Sequence, residues 1–71
     1  MYPNFNAEYA RKGLTLEKTV EELKKLGINM TVPTLSNKKN GKFPITLNEA
    51  KALKSVLETD LPLETLFEEA R

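Results

Sequence analysis

Between Ile28 and Ile45 the chain carries Lys38, Lys39 and Lys42, the hydroxyls of Thr31, Thr34 and Ser36, the amides of Asn37 and Asn40, and no acidic residue. These groups donate and accept hydrogen bonds and attract anions, but none is a nucleophile paired with a base. Asparagine can bond adenine through two hydrogen bonds, and lysine can donate to O6 and N7 of guanine. Hydroxyls and further lysines suit phosphate oxygens, which fix position without reading sequence. The rest of the chain offers little other chemistry. Histidine, cysteine and tryptophan are absent, which excludes a disulfide framework, a Cys/His zinc site, a Ser-His or Cys-His nucleophile and the usual haem ligands. General acid–base work is left to carboxylates on the expected solvent faces of helices. The three glycines stand singly, so no glycine-rich phosphate loop exists. Asn29-Met30-Thr31 matches a glycosylation sequon, read as accidental because no secretory signal precedes it. The reading is a non-enzyme, with no metal and no cofactor expected.

These residues need elements to hold them. Phe5 to Lys12 reads as a first helix, with Asn4 as N-cap, Phe5 and Tyr9 as its apolar stripe and Gly13 as its stop. Thr15 caps a second helix whose apolar residues recur at Leu16, Val20, Leu23 and Leu26, with Gly27 ending it. Pro33 is at home only in the first turn of a helix, and Thr31 upstream can cap it. The spacing therefore predicts a short helix from Val32 to Lys39, with Val32, Leu35 and the Lys39 stem inward and Asn40-Gly41 closing it. Phe43 and Ile45, around Pro44, are expected to tuck into the core. Thr46 and Glu49 form a capping-box pair. The helix they open runs to about Glu58, with Leu47, Ala50, Leu53, Val56 and Leu57 on one side. Thr59-Asp60-Leu61 reads as a turn, and Pro62 starts a last helix with Leu63, Leu66 and Phe67 apolar. Five short helices and no convincing strand make the expected fold all-α, a single domain over residues 1–71.

Size and charge narrow the partners. A chain of 71 residues buries only roughly 60% of its unfolded surface, so its stability is marginal and association with a second copy is a natural supplement. No apolar run is long enough to span a bilayer, and Met1-Tyr2-Pro3-Asn4 does not resemble the start of a secretory signal, so a cytoplasmic location is expected. Residues 1–45 have a net charge of +4 and residues 46–71 a net charge of −3. That polarity suits an anionic partner met by one defined surface.

A helix, a glycine-containing turn and a second short helix place the outer face of the second helix where it can enter the major groove. On that arrangement Thr31, Thr34, Asn37 and Lys38 face base edges. Ser36, Lys39, Asn40, Lys42 and the helix start at Thr15 face phosphates. Each has a plainer alternative: Thr31 as a cap alone, the lysines as solvated charges, Asn40 and Gly41 as a helix end.

Tyr2-Pro3-Asn4, Ala7-Glu8, Ala10-Arg11-Lys12-Gly13-Leu14-Thr15, Leu26-Gly27-Ile28, Thr34-Leu35-Ser36, Lys38, Asn40-Gly41-Lys42, Thr46-Leu47, Glu49-Ala50 and Leu63-Glu64 with Leu66-Phe67 occur in this order. Together they resemble small Cro-like phage repressors, of the helix-turn-helix family that includes the lambda and 434 repressors. The similarity spans nearly the whole chain. It implies a lambda-repressor-like five-helix domain that binds double-stranded operator DNA as a homodimer, with the segment from Thr34 to Lys38 as recognition helix. The expected function is thus a sequence-specific transcriptional regulator, a repressor of phage or mobile-element type, without a small-molecule ligand or a membrane partner. Its dimer surface is expected around Leu61 to Phe67. The alternative is a protein–protein interaction module that uses the same helical fold to bind another regulator.

Overall fold

Side-chain hydroxyls start three of the helices. Thr15, Thr31 and Thr46 each hold extended backbone and accept a hydrogen bond from the amide three residues on, at Lys18, Thr34 and Glu49. That bond satisfies one of the donors every helix start leaves open. At Thr46 the box closes, because the Glu49 carboxylate accepts from the Thr46 amide at 2.9 Å. In the computed structural model, which describes residues 2–69, the helices are α1 (Pro3–Arg11), α2 (Leu16–Lys25), α3 (Val32–Lys39), α4 (Leu47–Leu57) and α5 (Leu63–Leu66). No strand occurs among the described residues. Arg71, counted in the charge of the C-terminal part, lies outside them.

The first three helices end alike. Beyond α2, the Ile28 amide reaches back to the Leu23 carbonyl at 2.9 Å and the Gly27 amide to Lys24 at 3.0 Å. Beyond α3, Lys42 and Gly41 do the same to Asn37 and Lys38. This closure needs a left-handed residue, and Gly27 and Gly41 supply it at φ 85° and 80° without a side-chain penalty. The chain therefore reverses sharply after α2, and residues 26–31 carry it to the start of α3. There α3 packs across α2, while α4 packs on α2 and α5, and α1 on α5.

The core takes most of its side chains from α4 and α1, with one or two from each other helix. Phe5, Leu23, Leu35, Leu53, Leu57 and Leu66 are essentially without exposure. Phe5 stacks on Phe67 with ring centroids 5.2 Å apart, and Tyr2 meets Phe67 edge-on.

Four expectations need correction. Asn4 does not cap α1: the helix starts at Pro3, whose missing N–H is tolerated there, and the Asn4 amide instead donates to the Thr65 carbonyl of α5 at 2.8 Å. Phe43, Leu47 and Leu26 are exposed rather than inward, at 45%, 63% and 52%. Phe43 lies in the loop between α3 and α4. Leu47 is the first residue of α4, and side chains lean toward a helix's N-terminus, so it projects past the end of the packed surface. Leu26 sits at the cap position where the chain leaves α2.

One tie between distant segments carries a pH dependence. Glu8 of α1 accepts from Arg11 Nε at 2.8 Å and Nη2 at 3.1 Å, and from the Thr59 hydroxyl at 2.6 Å. The Arg11 bonds, with that from Thr59, hold the Glu8 carboxyl well below its ordinary 4.5, at about 2. A carboxyl lowered on folding stabilises the fold above its unfolded value, and that stabilisation fades as pH falls. Urea midpoints measured downward from neutral pH should therefore drop between pH 4.5 and about 2. Glu8→Gln should reduce the steepness of that drop; an unchanged profile would show that the Arg11–Glu8–Thr59 tie does not form in solution.

Candidate nucleic-acid interface

The helix α3 has one deeply buried side chain, Leu35, at 1% exposure. Residues three and four positions on share its side of the helix, and these are Lys38 and Lys39. The two lysines diverge around Leu35 to opposite supports. The Lys38 ammonium lies 2.6 Å from both carboxylate oxygens of Glu49 on α4, with the two side chains only 14% and 16% exposed. The Lys39 ammonium stands 4.7 Å from the centre of the Tyr9 ring on α1, a cation–π contact, and burial lowers its pKa. Burial pushes the Glu49 carboxyl up, but the Lys38 bond and the Thr46 amide outweigh it and leave it below the ordinary carboxylate range.

Lys38 is therefore not on the outward face where its sequence position suggested it. Its charge is compensated by Glu49, in the inner half of α3. Lys39 is likewise drawn back over Tyr9 rather than extended toward solvent. The outward side is formed by Pro33 and Asn37, flanked by Thr34 and Ser36, with exposed Asn40, Gly41 and Lys42 following the helix. Thr31 is exposed at the tip, and its hydroxyl is engaged with Thr34. It accepts from the Thr34 amide and donates to Thr34 Oγ1 at 2.9 Å. Thr34 thereby keeps its own hydroxyl proton for an outside acceptor. Asn37 makes no side-chain bond among the described residues, so its amide can both donate and accept.

Thr15 stands at the start of α2. Its hydroxyl caps Lys18, and its carbonyl accepts from the Thr19 hydroxyl at 2.8 Å. The Leu16 and Glu17 amides then have no intrahelical acceptor and can meet an anion, although Glu17 places a negative charge in that same turn. Thr19, fully buried, also accepts from the Tyr9 hydroxyl at 2.8 Å, since its own proton goes to Thr15. Tyr9 thus joins the starts of α2 and the end of α3 from below.

Among the described residues, Lys12, Lys24, Lys39, Lys42, Lys51 and Lys54 enter no ion pair, Lys39 resting instead over Tyr9, whereas Lys18 and Lys25 both face Glu22 and Lys38 faces Glu49. Of these, Lys42 lies next to the outward side of α3. Sequence reasoning missed Glu49, Tyr9 and Thr19 as parts of the site's support, and Pro33 as part of its surface. The i, i+3, i+4 relation of Leu35, Lys38 and Lys39 was the available signal for the inward lysines.

Three apolar side chains of the expected dimer segment are engaged in the chain's own core: Leu66 is fully buried, and Leu61 and Phe67 pack against the cluster. An open groove runs between the α2 exit, at Leu26, Gly27 and Ile28, and the Lys51, Ala52 and Ser55 side of α4. No cluster of three acidic, cysteine or histidine side chains able to hold a metal occurs among the described residues, and no helix there is long and apolar enough to cross a membrane. Compared with protein-family models, curated proteins and solved structures, the chain matches none.

Proposed function

We propose that this chain is a sequence-specific double-stranded DNA-binding regulator of the Cro-like type, with α3 entering the major groove and two copies reading two half-sites. The observation that carries the reading is the division of labour around α3. Leu35, Lys38 and Lys39 hold it to the body, Lys38 against α4 and Lys39 against α1, while Asn37 lies on the opposite side of the helix, flanked by half-buried Thr34 and Ser36, within a stretch free of acids. Thr34 and Asn37 address base edges. Ser36, Asn40 and Lys42 address phosphates, and Thr31 fixes the start of the helix. One eight-residue helix reads too few base pairs for useful specificity, which is why a dimer is part of the proposal.

The test is a titration against duplex DNA from the region upstream of its own coding sequence, beside a scrambled duplex, at two salt concentrations. A preference of about a thousandfold or more, with both affinities falling as salt rises, supports the reading. Asn37→Ala is expected to cost about 1–3 kcal/mol on the preferred duplex only. Lys42→Ala should weaken binding to all duplexes and reduce the salt slope by about one. Equal, weak binding to both duplexes would turn attention to a protein partner for the exposed Leu26 and its groove.

A further inference from the structure

The Lys38–Glu49 pair joins residues eleven positions apart, across the loop that contains Asn40 and Lys42. Glu49 has two tasks at once. Its Oε1 accepts from the Thr46 amide, fixing the start of α4, and both its oxygens meet the Lys38 ammonium, fixing the last turn of α3. The two ends of the 40–46 loop are thereby fastened to one carboxylate. Opposite this contact, Lys39 rests over Tyr9.

We infer that the Lys38–Glu49 pair is a clamp that sets the pose of α3 and of the 40–46 loop, so that Lys38 serves DNA recognition as a positioning residue and reads no base; this rests on the DNA-binding reading above. A lysine with its ammonium between two carboxylate oxygens has little left to offer guanine. Releasing it would require leaving Glu49 uncompensated in a site that is mostly shielded from water. The pair instead limits how far α3 can swing on Leu35 and keeps Lys42 beside the outward face. A recognition helix held in one pose binds without the affinity loss that a partly populated competent state imposes.

Lys38→Met and Glu49→Gln, singly and together, separate clamp from reader. Glutamine at 49 can still accept from the Thr46 amide, so the start of α4 is kept. The readouts are affinity for the preferred duplex, for a panel of that duplex with single base pairs replaced, the salt slope, and amide exchange over residues 40–46. With a clamp, each single variant weakens binding about tenfold by the same factor across the panel, leaves the salt slope unchanged, and speeds exchange in the loop. The double variant is then no worse than either single one, the mark of a shared interaction. Lys38→Arg, which can keep the pair, should retain affinity, and with Glu49→Gln it decides the matter even if Lys38→Met does not fold. The inference is overturned if Lys38→Met changes preference at one base pair or lowers the salt slope while Glu49→Gln binds as before. If the unsubstituted chain prefers no duplex, the DNA reading fails separately. The exchange data then decide the clamp: coupled loss of protection upholds it, independent losses overturn it.

Discussion

Phe5→Ala is expected to destabilise the fold by about 3–5 kcal/mol, the cost of emptying a large aromatic site in a packed core. Phe5 has no exposed surface, stacks on Phe67 at 5.2 Å and leans on Tyr9 at 5.8 Å. Those contacts join α1 to the segment that follows α5, so the loss is not confined to one helix. A domain of this size has roughly 4–10 kcal/mol of stability in all. The variant should consequently lose a large part of it and unfold at a urea concentration lower by about 1.5 M or more, for a denaturant slope of about 1–2 kcal/mol/M. Phe43→Ala is the matched control: the same truncation at a 45% exposed position should stay within about 0.5 kcal/mol. Equal costs at the two positions would mean that the aromatic core is not arranged as described.

Leu35→Ala should cost about 2–5 kcal/mol by the same physics, with a more local consequence. Leu35 is the one fully buried side chain of α3; Val32 is only half-buried, and Lys38 and Lys39 hold by their charged ends. Removing it leaves a cavity under a short helix with few other apolar anchors. Amide exchange over α3 should accelerate more than over α4, whose burial rests on Ala50, Ala52, Leu53 and Leu57. Val32→Ala, made in parallel, should cost less than half as much. Uniform acceleration through every helix would show that α3 does not open separately from the rest. On the proposed function, the same variant weakens binding to all duplexes without changing their order, because it lowers the population of the competent pose.

Much of the chain's local structure is determined by neighbours along the sequence. Thr15, Thr31 and Thr46 start helices because a hydroxyl reaches an amide three residues away, and that geometry needs nothing from the rest of the molecule. Gly27 and Gly41 end helices because a left-handed position favours a residue without Cβ. The starts of α2, α3 and α4 and the ends of α2 and α3 follow from such contacts. Pro3 is an instructive exception: either Asn4 or the proline could open α1, and the tie of Asn4 to the Thr65 carbonyl belongs to the partner helix α5.

Burial and pairing required the tertiary structure. Phe43 and Leu47 look like core residues by type and Thr19 like a surface one, yet exposure runs the other way. Apolarity states what a side chain would gain by burial, but only the crossing of helices decides whether anything covers it. For the same reason, the sequence showed three lysines near a candidate recognition helix without showing which were free. Lys38 is compensated because α4 brings Glu49 beside it, and Lys39 because α1 brings Tyr9, whereas Lys42 meets no carboxylate among the described residues. The helix expected from sequence has the Lys39 stem inward with Leu35 but Lys38 on the outward face; the groups that meet both lysines come from segments far along the chain, whose distance in space no local rule encodes.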